Sequence, residues 1–298
     1  SSTAKSDAYM IWQALPLLSH HRKSQPSKMN LEIAFVGAGK MVSAIVQGLL
    51  RTETFSPAQI GCCSANDGTS EKLSEATGIH RFDDVDAMLA ENPQTLVLGC
   101  KPQQFTELPL SIAEKTANCL ILSIMAGITA PRLHQSFPKA KNVVRSMPNT
   151  PGQIGEGATG YFFLNTPEES DSKIISSILA SLGKIYLMQD ESDLDRVTAI
   201  SGSGPAYVFE FTCALEEAAR SIGLDSGIAR ELALQTIIGS AKLMETSEFS
   251  PEELRNQVTS PNGTTQAALE SFSSDQLREI VKRAATAACN RSIELSNA

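Results

Sequence analysis

The chain has 298 residues, with 25 Lys and Arg against 33 Asp and Glu and a formal charge of −8; its pI is near 5.1. That balance argues against a phosphate-backbone binder, which needs a basic face, so nucleic acid is not an expected partner. Hydrophobic residues make up 42%, enough for a large core, and no stretch approaches the roughly 20 apolar residues of a membrane span, so no membrane association is expected.

Residues 1–28 read as an extension outside the fold. Their apolar patch, Met10 to Leu18, is broken by Gln13 and Pro16 and lacks the flanks of a signal peptide; Met29 is a candidate start. A degenerate organelle transit peptide is the alternative, since Asp7 is the only acid before Glu32. From residue 31 short apolar runs alternate with helical spacing. Strands are predicted over 31–36, 59–63, 95–100, 119–125 and 142–146, and helices over 41–50, 70–77, 85–90 and 105–117. Segments 158–163, 168–182 and 184–188 extend the pattern by one more unit. Alternation of this kind predicts an α/β fold, a Rossmann-type doubly wound parallel sheet over 29–189 with helices on both faces.

After Asp190 the strand pattern stops. Helices are predicted over 194–223, 226–245, 251–258, 265–272 and 275–295, giving an all-helical C-terminal domain over 190–298. Within 226–245, Ile228, Ala229, Leu232, Ala233, Ile237, Ile238, Ala241, Leu243 and Met244 place apolar groups around most of the helix. Such a helix must be covered on nearly all sides, which so small a domain cannot do alone, so a subunit interface is expected. The six cysteines match neither a disulfide framework nor a metal pattern, and reduced, buried thiols and a cytoplasmic setting follow.

Three segments carry candidate chemistry. Gly37-Ala38-Gly39-Lys40-Met41-Val42 joins the first strand to the first helix, where glycines permit a tight turn and close approach of a pyrophosphate to the helix N-terminus. A plain strand-to-helix turn is the alternative. The third fingerprint position is Val42 rather than Gly or Ala, which should loosen packing of helix on strand. The second strand ends in Cys62-Cys63-Ser64-Ala65-Asn66, with neither the acid that holds the ribose of NAD nor the Arg that accommodates NADP. Ser64 and Asn66 suit a phosphate, which leans toward NADP, or form an ordinary turn. Thr259-Ser260-Pro261-Asn262-Gly263-Thr264-Thr265 opens a helix whose free N–H groups suit a small carboxylate, or is a capped loop.

With Cys100-Lys101-Pro102, Met147-Pro148-Asn149-Thr150-Pro151, Glu156-Gly157-Ala158 and Ser201–Tyr207, these segments resemble the pyrroline-5-carboxylate reductases over residues 31–295. The resemblance implies a Rossmann domain, a helical domain that dimerises by interlocking, and oligomers of dimers. It implies reduction of 1-pyrroline-5-carboxylate to L-proline by NADPH or NADH. It places the cofactor on Val36, Gly37, Ala38, Gly39, Lys40 and Met41, with Ser64 on the adenosine side. Gly99, Cys100, Lys101, Pro102, Met125 and Ala126 fall on the nicotinamide side. It places the substrate on Val258, Ser260, Gly263, Thr264 and Thr265, with Thr265 the contact to the ring nitrogen and so the catalytic candidate. Asp86 falls near the adenosine ribose, where an acid would repel a 2′-phosphate and tilt the cofactor toward NADH.

A protonated imine is already electrophilic, so hydride transfer to it needs positioning and a polar contact rather than an enzymic nucleophile. Hydroxy-acid oxidation by a similar two-domain enzyme would need a Lys or His base, and the 260–265 loop holds none. A silent dinucleotide sensor would leave the Thr265 loop without a purpose. Because the loop lies in the helical domain, the expected active site lies between domains, or between subunits.

Overall fold

Four-residue, largely apolar runs, each buried along its whole length, build the centre of the molecule, and the computed structural model describes residues 30–297. The expectation for residues 1–28 therefore lies outside the described residues. The strands are β1 Ile33–Val36, β2 Ile60–Cys63, β3 His80–Arg81, β4 Thr95–Leu98, β5 Leu120–Ser123, β6 Asn142–Met147, β7 Gly157–Phe163 and β8 Gly183–Leu187. They form one sheet in the order β3-β2-β1-β4-β5-β6-β7-β8. Along β1, Ile33 and Phe35 join one buried cluster while Ala34 and Val36 join another on the opposite face. Both faces are thus covered, as a parallel sheet requires.

The covering helices are α1 Lys40–Arg51, α2 Thr69–Thr77, α3 Val85–Leu89, α4 Pro102–Phe105, α5 Ile112–Lys115, α6 Ala130–Ser136 and α7 Glu169–Ala180. Val42, Ile45, Val46 and Leu49 of α1 and Ile175, Ile178 and Leu179 of α7 pack into the same cluster as Phe35. Strands β1 to β6 pair in parallel, but β6 and β7 are antiparallel. This corrects the expected parallel extension: residues 148–156 are too few for a crossover, which needs about a dozen. Strand β8 then pairs in parallel with β7, with α7 as its crossover.

Further differences from the expected elements are local. The single helix expected over 105–117 is two one-turn helices, because Pro109 disfavours helical backbone at the residue before it and supplies no N–H. Strand β3 and helix α6 were not predicted, the first because two residues carry no periodicity. The helix expected over 194–223 is α8 Asp193–Val197, a π-helical turn Thr198–Gly202, and α9 Gly204–Ser221. A side chain at Gly202 would collide with Met147, and Pro205 follows as an N-terminal residue of α9.

Helices α10 Ser226–Thr246, α11 Pro251–Gln257, α12 Thr264–Ser274 and α13 Leu277–Ser296 complete the chain. Of the apolar residues of α10, only Ala229 and Ala233 are buried, whereas Ile228, Leu232, Leu243 and Met244 are about half exposed. Phe209 on α9 is 62% exposed. Contiguous apolar surface of this kind marks a face that another protein surface covers. It also corrects the expectation of six buried thiols: Cys213 lies on this face of α9 and is exposed, and Cys100 and Cys289 are half-buried. Among the described residues no helix is long and apolar enough to cross a membrane.

Candidate active site

The C-terminal ends of β1, β2 and β4 open into a cleft of about 370 Å³, where open α/β sheets bind ligands at the reversal of strand order. Its floor is the glycine turn. Gly37 has φ +99, its N–H donates to Cys63 O at 2.7 Å, and a Cβ on it would lie 2.6 Å from Gly99 O. Gly39 differs: its φ of −71 suits any residue, and a Cβ there would meet nothing within 4 Å. It caps α1 without a side-chain hydrogen bond, and the first turn contains no acid. Among the described residues, the N–H groups of that turn therefore have no protein acceptor where they meet the cleft. An uncapped helix N-terminus above a turn that excludes side chains fits a pyrophosphate.

Val42 is fully buried, and a Cβ on Gly99 would collide with its Cγ2. The bulk that was expected to loosen α1 is accommodated by the missing side chain of Gly99, so packing is close. At the β2 end of the cleft, Ser64 Oγ lies 3.1 Å from Asp67 Oδ1 and 3.0 Å from Ser70 Oγ. The Thr69 hydroxyl and N–H donate to Asp67 Oδ1 at 2.7 and 3.0 Å, and these bonds hold the Asp67 carboxyl below the usual range. Asp84 lines the cleft and accepts from Ala87 N–H at 2.7 Å, capping α3.

Asp86 does not line the cleft. Its Oδ1 accepts from Lys115 Nζ and Ser111 Oγ, both at 2.7 Å, and these bonds, Lys115 first, hold its carboxyl below the usual range. The repulsion expected between Asp86 and a 2′-phosphate therefore loses its basis, because α5 supplies a cation that neutralises the acid.

At the opposite end Cys100 Sγ donates to Met125 Sδ at 3.7 Å. Burial raises the Cys100 thiol above its ordinary value. Burial, reinforced by neighbouring Cys62, Asp84 and Cys100, pushes Cys63 up to about 12. Both stay protonated at neutral pH, so the cleft presents thiols rather than thiolate nucleophiles. Lys101 is exposed at the cleft edge and caps α4, with its N–H donating to Gln104 Oε1 at 3.0 Å.

The cleft thus brings together Val36, Gly37, Ala38, Gly39, Ser64, Gly99, Cys100 and Lys101. Lys40 faces the neighbouring groove between α1 and α2, Met41 packs against the core, and Pro102 opens α4. Met125 is buried beneath Cys100, and Ala126 does not line the cleft. Sequence reasoning missed Cys63, Asp67, Thr69, Asp84 and the 104–109 segment as cleft residues. Asp67 had a legible signal, because Asp-Gly-Thr-Ser ahead of a helical pattern is a turn-and-cap sequence.

Val258, Ser260, Gly263, Thr264 and Thr265 form a separate feature. Gly263 N–H donates to Ser260 O at 3.0 Å, and Ser260 Oγ occupies the place a Gly263 side chain would take. Asn262 adopts φ +59, which Asn tolerates, and its N–H donates to Gln266 Oε1 at 2.8 Å. Gly263 caps α12 with no side-chain bond, and no acid follows in the first turn. A second uncapped helix N-terminus results, flanked by hydroxyls, and Val258 beside it is 66% exposed. None of these residues lines the cleft, whose wall runs from Val36 to Pro109. Among the described residues no group of three His, Cys, Asp or Glu is placed to hold a metal.

Comparison with known proteins follows the same division. Residues 191–295 match the family model for pyrroline-5-carboxylate reductase dimerisation, and residues 32–127 match that for coenzyme F420-dependent NADP oxidoreductases. Pyrroline-5-carboxylate reductase from Pseudomonas aeruginosa is 37% identical over 89% of this chain and 96% of its own. A solved pyrroline-5-carboxylate reductase from Coxiella burnetii has a TM-score of 0.83 at 34% identity, covering 90% of this chain and 99% of the other. The Plasmodium falciparum pyrroline carboxylate reductase with NADP bound has a TM-score of 0.76 at 27% identity, with coverage of 90% and 99%.

Proposed function

The chain belongs to the pyrroline-5-carboxylate reductase family, and from that premise we propose that it reduces 1-pyrroline-5-carboxylate to L-proline with NADPH, NADH being the second possible donor. The observation that carries this reading is the pair of uncapped helix N-termini, one above the glycine turn in the cleft and one at the loop ending in Thr265. Each is a site for an anion, and the two reactants each carry one: a pyrophosphate and a carboxylate.

NADPH, when bound, supplies the hydride. The backbone around Gly37–Gly39 and the first turn of α1 would hold its pyrophosphate, Ser64 its adenosine end, and Gly99, Cys100, Lys101, Pro102, Met125 and Ala126 would flank the nicotinamide end. The relative that holds NADP favours NADPH, and Asp86, off the cleft wall and paired with Lys115, does not oppose it. Ser260 and the N–H groups of Gly263 and Thr264 would hold the substrate carboxylate, and the Thr265 hydroxyl would contact the ring nitrogen.

The loop is absent from the wall of its own chain's cleft and the α9 and α10 faces are open to a second copy, which supports a complete site that joins the cleft of one subunit to the loop of another. The exposed apolar faces of α9 and α10 support a homodimer, and we extend this to an oligomer of dimers. We divide the chain into a cofactor domain over 29–189 and a dimerisation and substrate domain over 190–298, and place the protein in the cytoplasm, where unbridged cysteines are the rule. The test is oxidation of NADPH, then NADH, followed by absorbance with 1-pyrroline-5-carboxylate as substrate and proline measured as product. Turnover with proline formation is expected; none with either cofactor refutes the reading.

A further inference from the structure

Arg145 lies on β6 with its side chain only 5% exposed, and a buried guanidinium must be paired and hydrogen-bonded. Its Nη1 donates to Glu191 Oε1 at 2.9 Å and its Nη2 to Ser296 Oγ at 3.2 Å. Asp195 Oδ1 lies 3.9 Å from Nη2 and accepts from Ser292 Oγ at 2.6 Å and Ser296 Oγ at 3.3 Å. This polar knot therefore joins the sheet, the segment between β8 and α8, α8 itself and the C-terminal end of α13.

The knot also reaches a loop. Glu191 Oε1, the oxygen that receives Arg145, accepts the N–H of Ala130 at 2.7 Å, where the loop that follows β5 enters α6. The near end of that loop is fixed by Met125 N–H donating to Ser123 Oγ at 3.2 Å and Ser146 Oγ donating to Ser123 O at 2.9 Å. The last turn of α13 covers its middle, since a Cβ on Gly127 would lie 3.5 Å from Leu295 O. Residues 125–130 are clamped at both ends and from above, and Met125 sits in sulfur contact with Cys100 at the cleft.

We infer that Glu191 is a positioning residue: by sharing one oxygen between Arg145 and Ala130 N–H it sets the height of the 125–130 loop, and through Met125 and Cys100 the depth of the nicotinamide ring in the cleft. This rests on the cofactor reading above. A staple whose only task was to join helix to sheet would bond Arg145 alone; the additional bond to Ala130 transmits the position of the domain junction to the cleft wall.

The test compares Glu191→Ala with Glu191→Gln, which keeps the accepting oxygen, and with Ser296→Ala, which loosens the α13 end and remains available where Glu191→Ala fails to fold. Two quantities are read: the NADPH dissociation constant from cofactor fluorescence, without substrate, and the isotope effect on turnover with NADPH deuterated at nicotinamide C4. For Glu191→Ala the inference expects NADPH to bind about tenfold more weakly and kcat to fall roughly 10- to 100-fold, as misplacement of reacting atoms does. It also expects an isotope effect larger than wild type, with Glu191→Gln restoring most of each value and Ser296→Ala shifting in the same direction by less. A loss of activity matching the loss of folded protein, with affinity and isotope effect unchanged, overturns it, as does a Ser296→Ala enzyme identical to wild type where Glu191→Ala does not fold. Absence of wild-type turnover would instead remove the assigned reaction, and the dissociation constants would still decide the positioning role.

Discussion

The two glycines of the turn proposed to hold the cofactor separate binding from stability. A methyl group on Gly39 enters open space, meets no protein atom within 4 Å and sits on an allowed backbone. The protein should lose no more than about 1 kcal/mol, the usual penalty for Ala at a helix N-cap. The same methyl occupies the face from which a pyrophosphate would approach the N–H groups of α1, so NADPH should bind at least about tenfold more weakly, equal to about 1.4 kcal/mol. Gly37→Ala is the contrast: at φ +99 the backbone strain is about 1–3 kcal/mol, and the methyl would press on Gly99 O. That variant should lose stability and binding together. Urea denaturation and NADPH fluorescence titration on the same preparations measure both quantities. A Gly39→Ala protein that is folded and binds NADPH as wild type does would show that the pyrophosphate is not held over this turn.

Thr265→Ala should lower kcat about 10- to 100-fold while leaving NADPH affinity unchanged, the loss of one polar contact to the reacting nitrogen; steady-state kinetics with a cofactor titration check it, and equal loss of both would show the threonine misassigned. Gly99→Ala should destabilise by about 1–3 kcal/mol through its collision with Val42, and adding Val42→Ala should recover part of that in urea melts; strictly additive losses would refute the pairing. Burial pushes Cys119 from 9.0 up to about 12. Its raised value means that its contribution is fully present below pH 9 and is lost as the pH rises toward 12, because only the unfolded thiol ionises in that window. Stability should fall there by up to about 1.4 kcal/mol per pH unit from this thiol, and Cys119→Ala should flatten the urea midpoint between pH 9 and 10 accordingly.

Features that are written into local backbone demands were readable before the structure. Gly37 had to be glycine for its turn, and Ile33–Val36 had to be buried on both faces, so the cofactor half of the fold followed from short segments. What depends on distant partners was not readable. Nothing near Asp86 announces that Lys115 will neutralise it, and nothing near Val42 announces that Gly99 makes room for it. Strand β3 is too short to have a period. Pro109 and the Ser201–Pro205 run were visible as residues, but their effect depends on which neighbour crowds them. The Thr265 loop was legible as a helix start with free N–H groups. Its absence from the wall of the cleft was not, because that depends on the path of the whole helical domain.

In the proposed dimer each reductive site is built from the cleft of one subunit and the loop of the other. Coexpression of Gly39→Ala with Thr265→Ala chains tests it, with NADPH oxidation by 1-pyrroline-5-carboxylate as the readout. In a mixed dimer one site has both parts damaged and the other has both intact, so random pairing should restore about a quarter of the wild-type activity. A mixture no more active than the two variants measured separately would contradict it.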